Sequence, residues 1–336
     1  KRPAGIALVR KLIAQSDVLI ENFRHGAMDE LGLGSDAALK INPRLVYCAL
    51  KGFLPGPYEK RVALDEVVQM MGGMAYMTGP PGQPLRAGAS VNDVLGGVFG
   101  ALAILAALRE RDRTGRGGAV QSGLFETNMF LMAQHMAYSA IEGRELPSFA
   151  DPTLGRPWPV YDVLDCADGG AKLFVGVVTL TQWRKFCEAF GLHDLLHDPE
   201  LATMQQLAAA RARILPKVAA VFQKLPQAEL MHRCEALGLP FAPIARPAQM
   251  FEDPHLLASG GLLPIDFARA QNVTGTAARA VAGVPGLPVL MRDGRPCLRR
   301  QPPRIGEHSV EVAVECDVST DEIDAMLADG TLFASP

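Results

Sequence analysis

Apolar and polar positions follow two different periods over the first sixty residues. Ile6, Leu8, Val9, Leu12 and Ile13 recur at helical spacing behind Pro3, which predicts a helix from Pro3 to Gln15. Asp17-Val-Leu-Ile-Glu-Asn-Phe is a short apolar run ahead of a turn, as in a buried parallel strand. Glu30 to Ile41 reads as a second helix, and Arg44-Leu-Val-Tyr-Cys-Ala-Leu as a second strand. Strand, helix and strand at this spacing predict βαβ crossovers and an α/β fold with a doubly wound, Rossmann-like sheet. Ligands of such sheets bind beyond the carboxyl ends of the strands, here the loops 21–26 and 51–58.

Val62 to Met71 predicts a further helix with Asp65 and Glu66 in its first turn, broken by Gly72-Gly73. The longest apolar stretch follows. From Val94 to Leu108 every residue is apolar or glycine, which predicts a helix buried on nearly all sides. That run is shorter than the roughly 20 residues a bilayer requires. Ser90 or Asn92 suits its N-cap, and Gly115 its end. Asp93 falls in the first turn, where free N–H groups and the helix dipole favour an anion and should hold its pKa low. Those same N–H groups are expected to stabilise an oxyanion. Gly96 and Gly97, at i+3 and i+4, strip side chains from the patch beside it. An aspartate that merely caps the helix would look the same.

Beyond residue 120, Phe125 to Ile141 is a Met-rich amphipathic helix suited to core or subunit packing, with His135 expected as a satisfied core histidine. Residues 1–145 thus read as a large α/β domain and the Pro-rich stretch 146–158 as a linker. Val160-Tyr-Asp-Val-Leu-Asp and Lys172-Leu-Phe-Val-Gly-Val-Val flank a turn, a hairpin signal that opens a smaller α+β domain over 159–265. Thr181 is the expected cap of the next helix. Leu201 to Leu237 reads as largely helical. Residues 266–336 form a separate C-terminal segment.

Composition narrows the function classes. A chain of 336 residues with 49% hydrophobic content supplies cores for about two domains. A net charge of −3 and 6% aromatic residues argue against a nucleic-acid surface. Six cysteines without a CxxC pair, and histidines scattered over different elements, predict reduced thiols, no metal site and a cytoplasmic location. No signal-peptide pattern is expected at the start.

Several ordered motifs carry a family resemblance. Asp17-Val-Leu-Ile-Glu-Asn-Phe-Arg, Asn42-Pro-Arg-Leu-Val-Tyr, Gly52-Phe-Leu-Pro-Gly-Pro-Tyr, Ala87-Gly-Ala-Ser-Val-Asn-Asp and Leu105-Ala-Ala-Leu-Arg-Glu-Arg-Asp-Arg-Thr-Gly-Arg-Gly resemble the family III CoA-transferases, which include formyl-CoA transferase, carnitine CoA-transferase and alpha-methylacyl-CoA racemase. The resemblance implies a catalytic role for Asp93, as the nucleophile that attacks an acyl-CoA thioester, and an active-site acidic position at Asp65. It implies that Lys1, Asn22, Phe23, Arg24, Arg61, Ala63 and Leu64 contact coenzyme A, the substrate carrier, with no metal involved. It further implies that a first part of the nucleotide-binding half precedes residue 1, that 266–336 returns to the large domain, and that two copies interlock as a homodimer. The partners implied are an acyl-CoA and a carboxylate, with neither membrane nor nucleic acid.

Departures from the family pattern refine this. Leu64 stands where the racemase branch has a histidine, and leucine cannot exchange a proton. Glu30 replaces an arginine, and Val62 a lysine. Lys51-Gly-Phe-Leu-Pro-Gly-Pro-Tyr and Tyr76-Met-Thr-Gly-Pro-Pro-Gly are similar to mesaconyl-CoA C1–C4 CoA transferases, which points to a C4 or C5 dicarboxylate. An acyl-CoA racemase and a non-catalytic CoA-binding protein are the alternatives at this stage.

Overall fold

A computed structural model describes residues 1–151, 156–266 and 281–335. The described residues fall into two compact units, one from 1–151 and 303–335, the other from 156–266 and 281–302. Residues 152–155 of the expected linker and 267–280 of the C-terminal segment lie outside the described residues.

The first unit is built on a three-stranded parallel sheet in the order β1 (Val18–Glu21), β2 (Val46–Lys51), β3 (Gly118–Gly123). The third strand was not expected from the sequence. Its residues Gly-Ala-Val-Gln-Ser-Gly carry too few apolar side chains to stand out, and backbone pairing with β2 defines it. Helix α1 (Pro3–Gln15) precedes β1. The segment expected as one helix from Glu30 to Ile41 is two short ones, α2 (Ala27–Glu30) and α3 (Ser35–Ile41). Gly32, at φ 66°, sits in the left-handed region between them and ends the first.

Both faces of this sheet are covered. Tyr47 and Ala49 of β2 pack with Ile13 of α1 and Ala38 of α3. Cys48 and Leu50 point the other way, as strand alternation requires. There they meet helix α6 (Val91–Thr114), where a Cβ at Gly100 would lie 2.6 Å from Leu50 Cδ2. Between β2 and α6 come α4 (Asp65–Met71) and α5 (Met74–Thr78), and β3 runs into α7 (Leu124–Glu142).

Helix α6 corrects two expectations. At 24 residues it is long and apolar enough to cross a membrane by length and composition alone. Its contacts with β2, β3 and α7 nonetheless make it a covering helix of the sheet. It is also not buried all round. Asn92, Gly96 and Gly100 form the packed edge, whereas Val94, Val98, Leu102 and Leu105 are exposed in the single chain. His135 on α7 differs as well: its ring stands edge-on to Phe149, and the buried Nδ1 has no partner.

In the second unit, β4 (Val160–Asp165) and β5 (Lys172–Val177) form the expected hairpin, extended antiparallel by β6 (Phe241–Pro243). Thr179, not Thr181, caps α8 (Leu180–Ala189) by accepting the Gln182 N–H. Trp183, Phe186, Phe222 and Leu230 fill its core. A second antiparallel pair, β7 (Leu262–Asp266) with β8 (Val281–Pro285), binds the start of the C-terminal segment to this unit. Among the described residues of the segment expected to return as a whole, 281–302 group with this unit and 303–335 with the first, where two helices, Ser309–Glu315 and Thr320–Ala328, complete it.

Candidate active site

The carboxyl ends of β1 and β2 and the amino ends of α4 and α6 enclose a cavity of about 510 Å³. Asn22, Ala63, Leu64, Asp65, Asp93, Gly96 and Gly97 line it, joined by Leu50, Gly52, Glu66, Ser122 and Leu124. Sequence reasoning missed Ser122, whose hydroxyl donates to the Gly96 carbonyl at 2.9 Å. It lies on the unrecognised third strand, and a lone serine carries no pattern. At Gly96 an added Cβ would come within 3.1 Å of Leu124, while at Gly97 it would meet nothing within 4 Å. The open patch beside Asp93 is therefore real.

Asp65 and Asp93 occupy different environments. Asp65 is buried, 2% exposed, at the first position of α4. Its Oδ1 accepts the Asn92 backbone N–H at 2.8 Å, and its Oδ2 accepts the Gln69 side-chain amide. Gln69 is fully buried and accepts the Ala87 N–H at 2.7 Å. The two side chains thus hold the segment leading into α6 at both ends. Asp93 is exposed at the cavity wall, with its carboxyl raised above the ordinary aspartate value. Partial desolvation at the cavity wall is the first cause, the charges of Asp65 and Glu66 add to it, and Arg86 pulls the other way.

This corrects the expected depression by the helix dipole. Asp65 already occupies the anionic position at the α6 amino terminus, and its charge works against ionisation of Asp93. Three N–H groups of this turn are committed: Val91 N–H donates to Ala89, Asn92 to Asp65, and Val94 to Ser90, which narrows the oxyanion role expected of them.

The remaining expected contact residues stand outside the cavity lining. Phe23 is exposed, and Arg24 pairs with Glu30. That bond holds the Glu30 carboxyl below its usual range, with a smaller pull from Lys1 that places Lys1 in the same charge cluster. Arg61 lies over the Tyr58 ring, 4.9 Å from its centroid. The turn that carries Asn22 and Phe23 is clamped from beneath. Glu21 accepts the Phe23 N–H at 2.9 Å, and Lys51 Nζ donates to Glu21 and to the Phe23 carbonyl, the latter at 2.8 Å. No group of metal-ligating side chains occurs among the described residues.

A carboxylate beside an open glycine patch, in a cavity at the ends of parallel strands, can act as a nucleophile toward an acyl group. A model of CoA-transferase family III matches residues 1–309. The chain belongs to that family. It is 32% identical over 324 residues to a succinate–glutarate CoA-transferase of Agrobacterium fabrum, covering 94% of this chain and 76% of the relative. A formyl-CoA:oxalate CoA-transferase of Streptomyces coelicolor is 32% identical over 358 residues, covering 99% and 82%. A succinyl-CoA–L-malate CoA-transferase beta subunit of Chloroflexus aurantiacus is 28% identical, covering 96% and 79%. Among solved structures, a CAIB/BAIF family protein from Brucella suis superimposes with a TM-score of 0.80 at 28% identity, covering 94% of this chain and 79% of that one. The family III chain is thus an enzyme of the CoA-transferase kind that handles CoA thioesters.

Proposed function

We propose that this family III enzyme moves CoA between carboxylates through an aspartyl-CoA thioester on Asp93, and that its acyl groups are C4 or C5 dicarboxylates such as those of succinyl-CoA or mesaconyl-CoA. The observation that carries the reading is Asp93 on the wall of a cavity cleared by Gly96 and Gly97. The dicarboxylate class is supported by the relatives named for succinate, glutarate and malate.

The Asp93 carboxylate attacks the thioester carbonyl carbon, forming a mixed anhydride and expelling the CoA thiolate. The thiolate then attacks the Asp93 carbonyl of that anhydride, releasing the acyl group as a free carboxylate and leaving CoA on Asp93. An acceptor carboxylate attacks this aspartyl thioester, and the same two steps run backward to give the new acyl-CoA. Leu50, Leu64, Ala63 and Leu124 supply apolar wall that keeps water from the activated esters. Asp65 acts by holding Asn92, and hence Asp93, in place. In this reading Asn22, on the cavity wall, and Phe23, Arg24, Lys1 and Arg61, outside its lining, contact CoA.

Leu64 lines the cavity and is 63% exposed, so the position of a second acid–base group is occupied by a side chain without a proton to exchange. Isomerisation at the α-carbon therefore lacks a partner. In this reading two copies form a cytoplasmic homodimer, with the exposed Val94, Val98, Leu102 and Leu105 stripe covered by neighbouring chain.

Mass spectrometry of the protein after mixing with a panel of acyl-CoAs tests the proposal. A CoA adduct on Asp93, which hydroxylamine converts to a hydroxamate and borohydride to an alcohol with release of CoA, and which is absent from Asp93→Ala, is the expected result. Full transfer activity in Asp93→Ala would sink it.

A further inference from the structure

Ser122 lines the cavity, yet no step of the reaction above uses it. It is buried, 7% exposed, and stands opposite Leu50 in the β2–β3 ladder, so its side chain leaves the same face of the sheet toward α6. There its hydroxyl donates to the Gly96 carbonyl at 2.9 Å. With that hydrogen committed, the oxygen offers the cavity only lone pairs and cannot stabilise an oxyanion. Its bond acts on the backbone of α6 instead.

Gly96 and Gly97 make a soft step in that helix, because neither carries a Cβ to restrict its backbone. The Gly96 carbonyl and the Gly97 N–H belong to one peptide plane. Within α6 the Gly97 N–H points back to the Asp93 carbonyl, four residues earlier, and the Gly96 carbonyl points forward to Gly100. Ser122 takes the second lone pair of the Gly96 carbonyl and so ties this plane to β3, which is itself paired with β2 along its whole length. Asp65 holds the helix just before Asp93, through the Asn92 N–H. Ser122 holds it one turn after. A nucleophile fixed from both sides keeps its attack geometry, and misplacement by about 1 Å can cost on the order of 100-fold in rate.

We propose that Ser122 is a positioning residue for the Asp93 carboxylate and acts by pinning the Gly96–Gly97 peptide. This inference rests on the transferase reading above. Three quantities test it: the rate at which CoA appears on Asp93 at saturating succinyl-CoA, the thioester concentration giving half that rate, and exchange of the Gly97 amide hydrogen. In Ser122→Ala the saturated rate is expected to fall roughly 10-fold, the worth of one hydrogen bond. The half-saturating concentration should stay put, and the Gly97 amide should exchange faster. Ser122→Thr and Ser122→Val share a shape and differ in the hydroxyl, so the threonine variant should be the faster; this pair carries the test if the alanine variant fails to fold. Gly97→Ala supplies a second background, since its Cβ stiffens the step while meeting nothing within 4 Å. Loss of the Ser122 hydroxyl should slow the reaction less there than beside Gly97. A saturated rate unchanged while only the melting temperature falls would overturn the inference, leaving Ser122 a packing residue. Equal slowing in both backgrounds, or unaltered Gly97 exchange, would overturn it too, because the hydroxyl would then act on the reacting atoms directly. If the unsubstituted protein forms no adduct at all, the transferase reading itself fails and takes this role with it.

Discussion

The Asn92 backbone N–H donates to the Asp65 carboxylate at 2.8 Å, so a residue at the start of α4 closes the first turn of α6, one position before Asp93. Asp65→Ala leaves that buried N–H and the Gln69 amide without acceptors. A loss of about 1–3 kcal/mol in unfolding free energy is expected, together with loss of adduct formation. Asp65→Asn keeps an acceptor but removes the charge that raises the Asp93 pKa. The acid limb of its adduct-formation rate should therefore move to lower pH. An unmoved limb, in a variant that still folds, would show that Asp65 does not act on Asp93 electrostatically.

Asp93 itself carries a cost in stability. Its folded-state pKa lies above the ordinary aspartate value, chiefly through partial desolvation at the cavity wall. A carboxyl raised in this way binds its proton more tightly in the folded state, so it lowers stability at pH values above the raised pKa and does not below the unfolded one. Asp93→Asn should accordingly melt at a higher temperature than the unsubstituted protein at pH 7. That advantage should shrink as the pH falls through the raised pKa. Calorimetry at pH 7 and near pH 4 reads the difference, and transfer activity should be absent throughout.

Much of this was legible because apolar period reports burial directly. β1, β2, α1 and α4 stand near their expected positions, and Asp93, Asp65, Asn22, Gly96 and Gly97 meet in one cavity. What failed did so for identifiable reasons. Gly-Ala-Val-Gln-Ser-Gly becomes β3 through pairing with its neighbour, which leaves no periodic trace. α6 is apolar all round, so its sequence could not say which side the sheet would take and which would stay exposed. The Asp93 pKa went the wrong way because the dipole argument is local in sequence, whereas desolvation at the cavity wall, and after it the charge of Asp65 brought to the same turn from 27 residues away, arise only in the fold.

The glycines of α6 should respond unequally to substitution. A Cβ at Gly97 meets nothing within 4 Å, whereas one at Gly100 lies 2.6 Å from Leu50 Cδ2. Gly97→Ala should stabilise the helix by roughly 0.5–1 kcal/mol. It should also narrow the cavity and slow the reaction of larger acyl groups more than small ones. Gly100→Ala forces the Leu50 Cδ2 methyl to move, which offsets the same gain in helix propensity and should leave this variant melting below Gly97→Ala. Thermal melts of the two variants, with a rate series over acyl length for Gly97→Ala, separate packing from cavity effects.

The Glu21–Lys51 pair offers the sharpest separation of binding from chemistry. Lys51 Nζ lies 2.6 Å from Glu21 Oε1, with the Glu21 side chain 3% exposed, and between them they hold both the N–H and the carbonyl of Phe23. Lys51→Met strands a buried carboxylate, which costs on the order of 3 kcal/mol when one partner of such a pair is removed. Adding Glu21→Gln removes the stranded charge while leaving an acceptor for the Phe23 N–H, so the double variant should recover part of that loss. Neither change touches Asp93, but loss of Lys51 releases the Phe23 carbonyl and loosens the turn that presents Asn22 and Phe23. The double variant should therefore bind acyl-CoA several-fold more weakly, with KM rising while kcat stays within about twofold. Denaturant titration and steady-state kinetics measure the two effects. A fall in kcat at constant KM would instead tie the clamp to the reacting carboxylate and not to the turn.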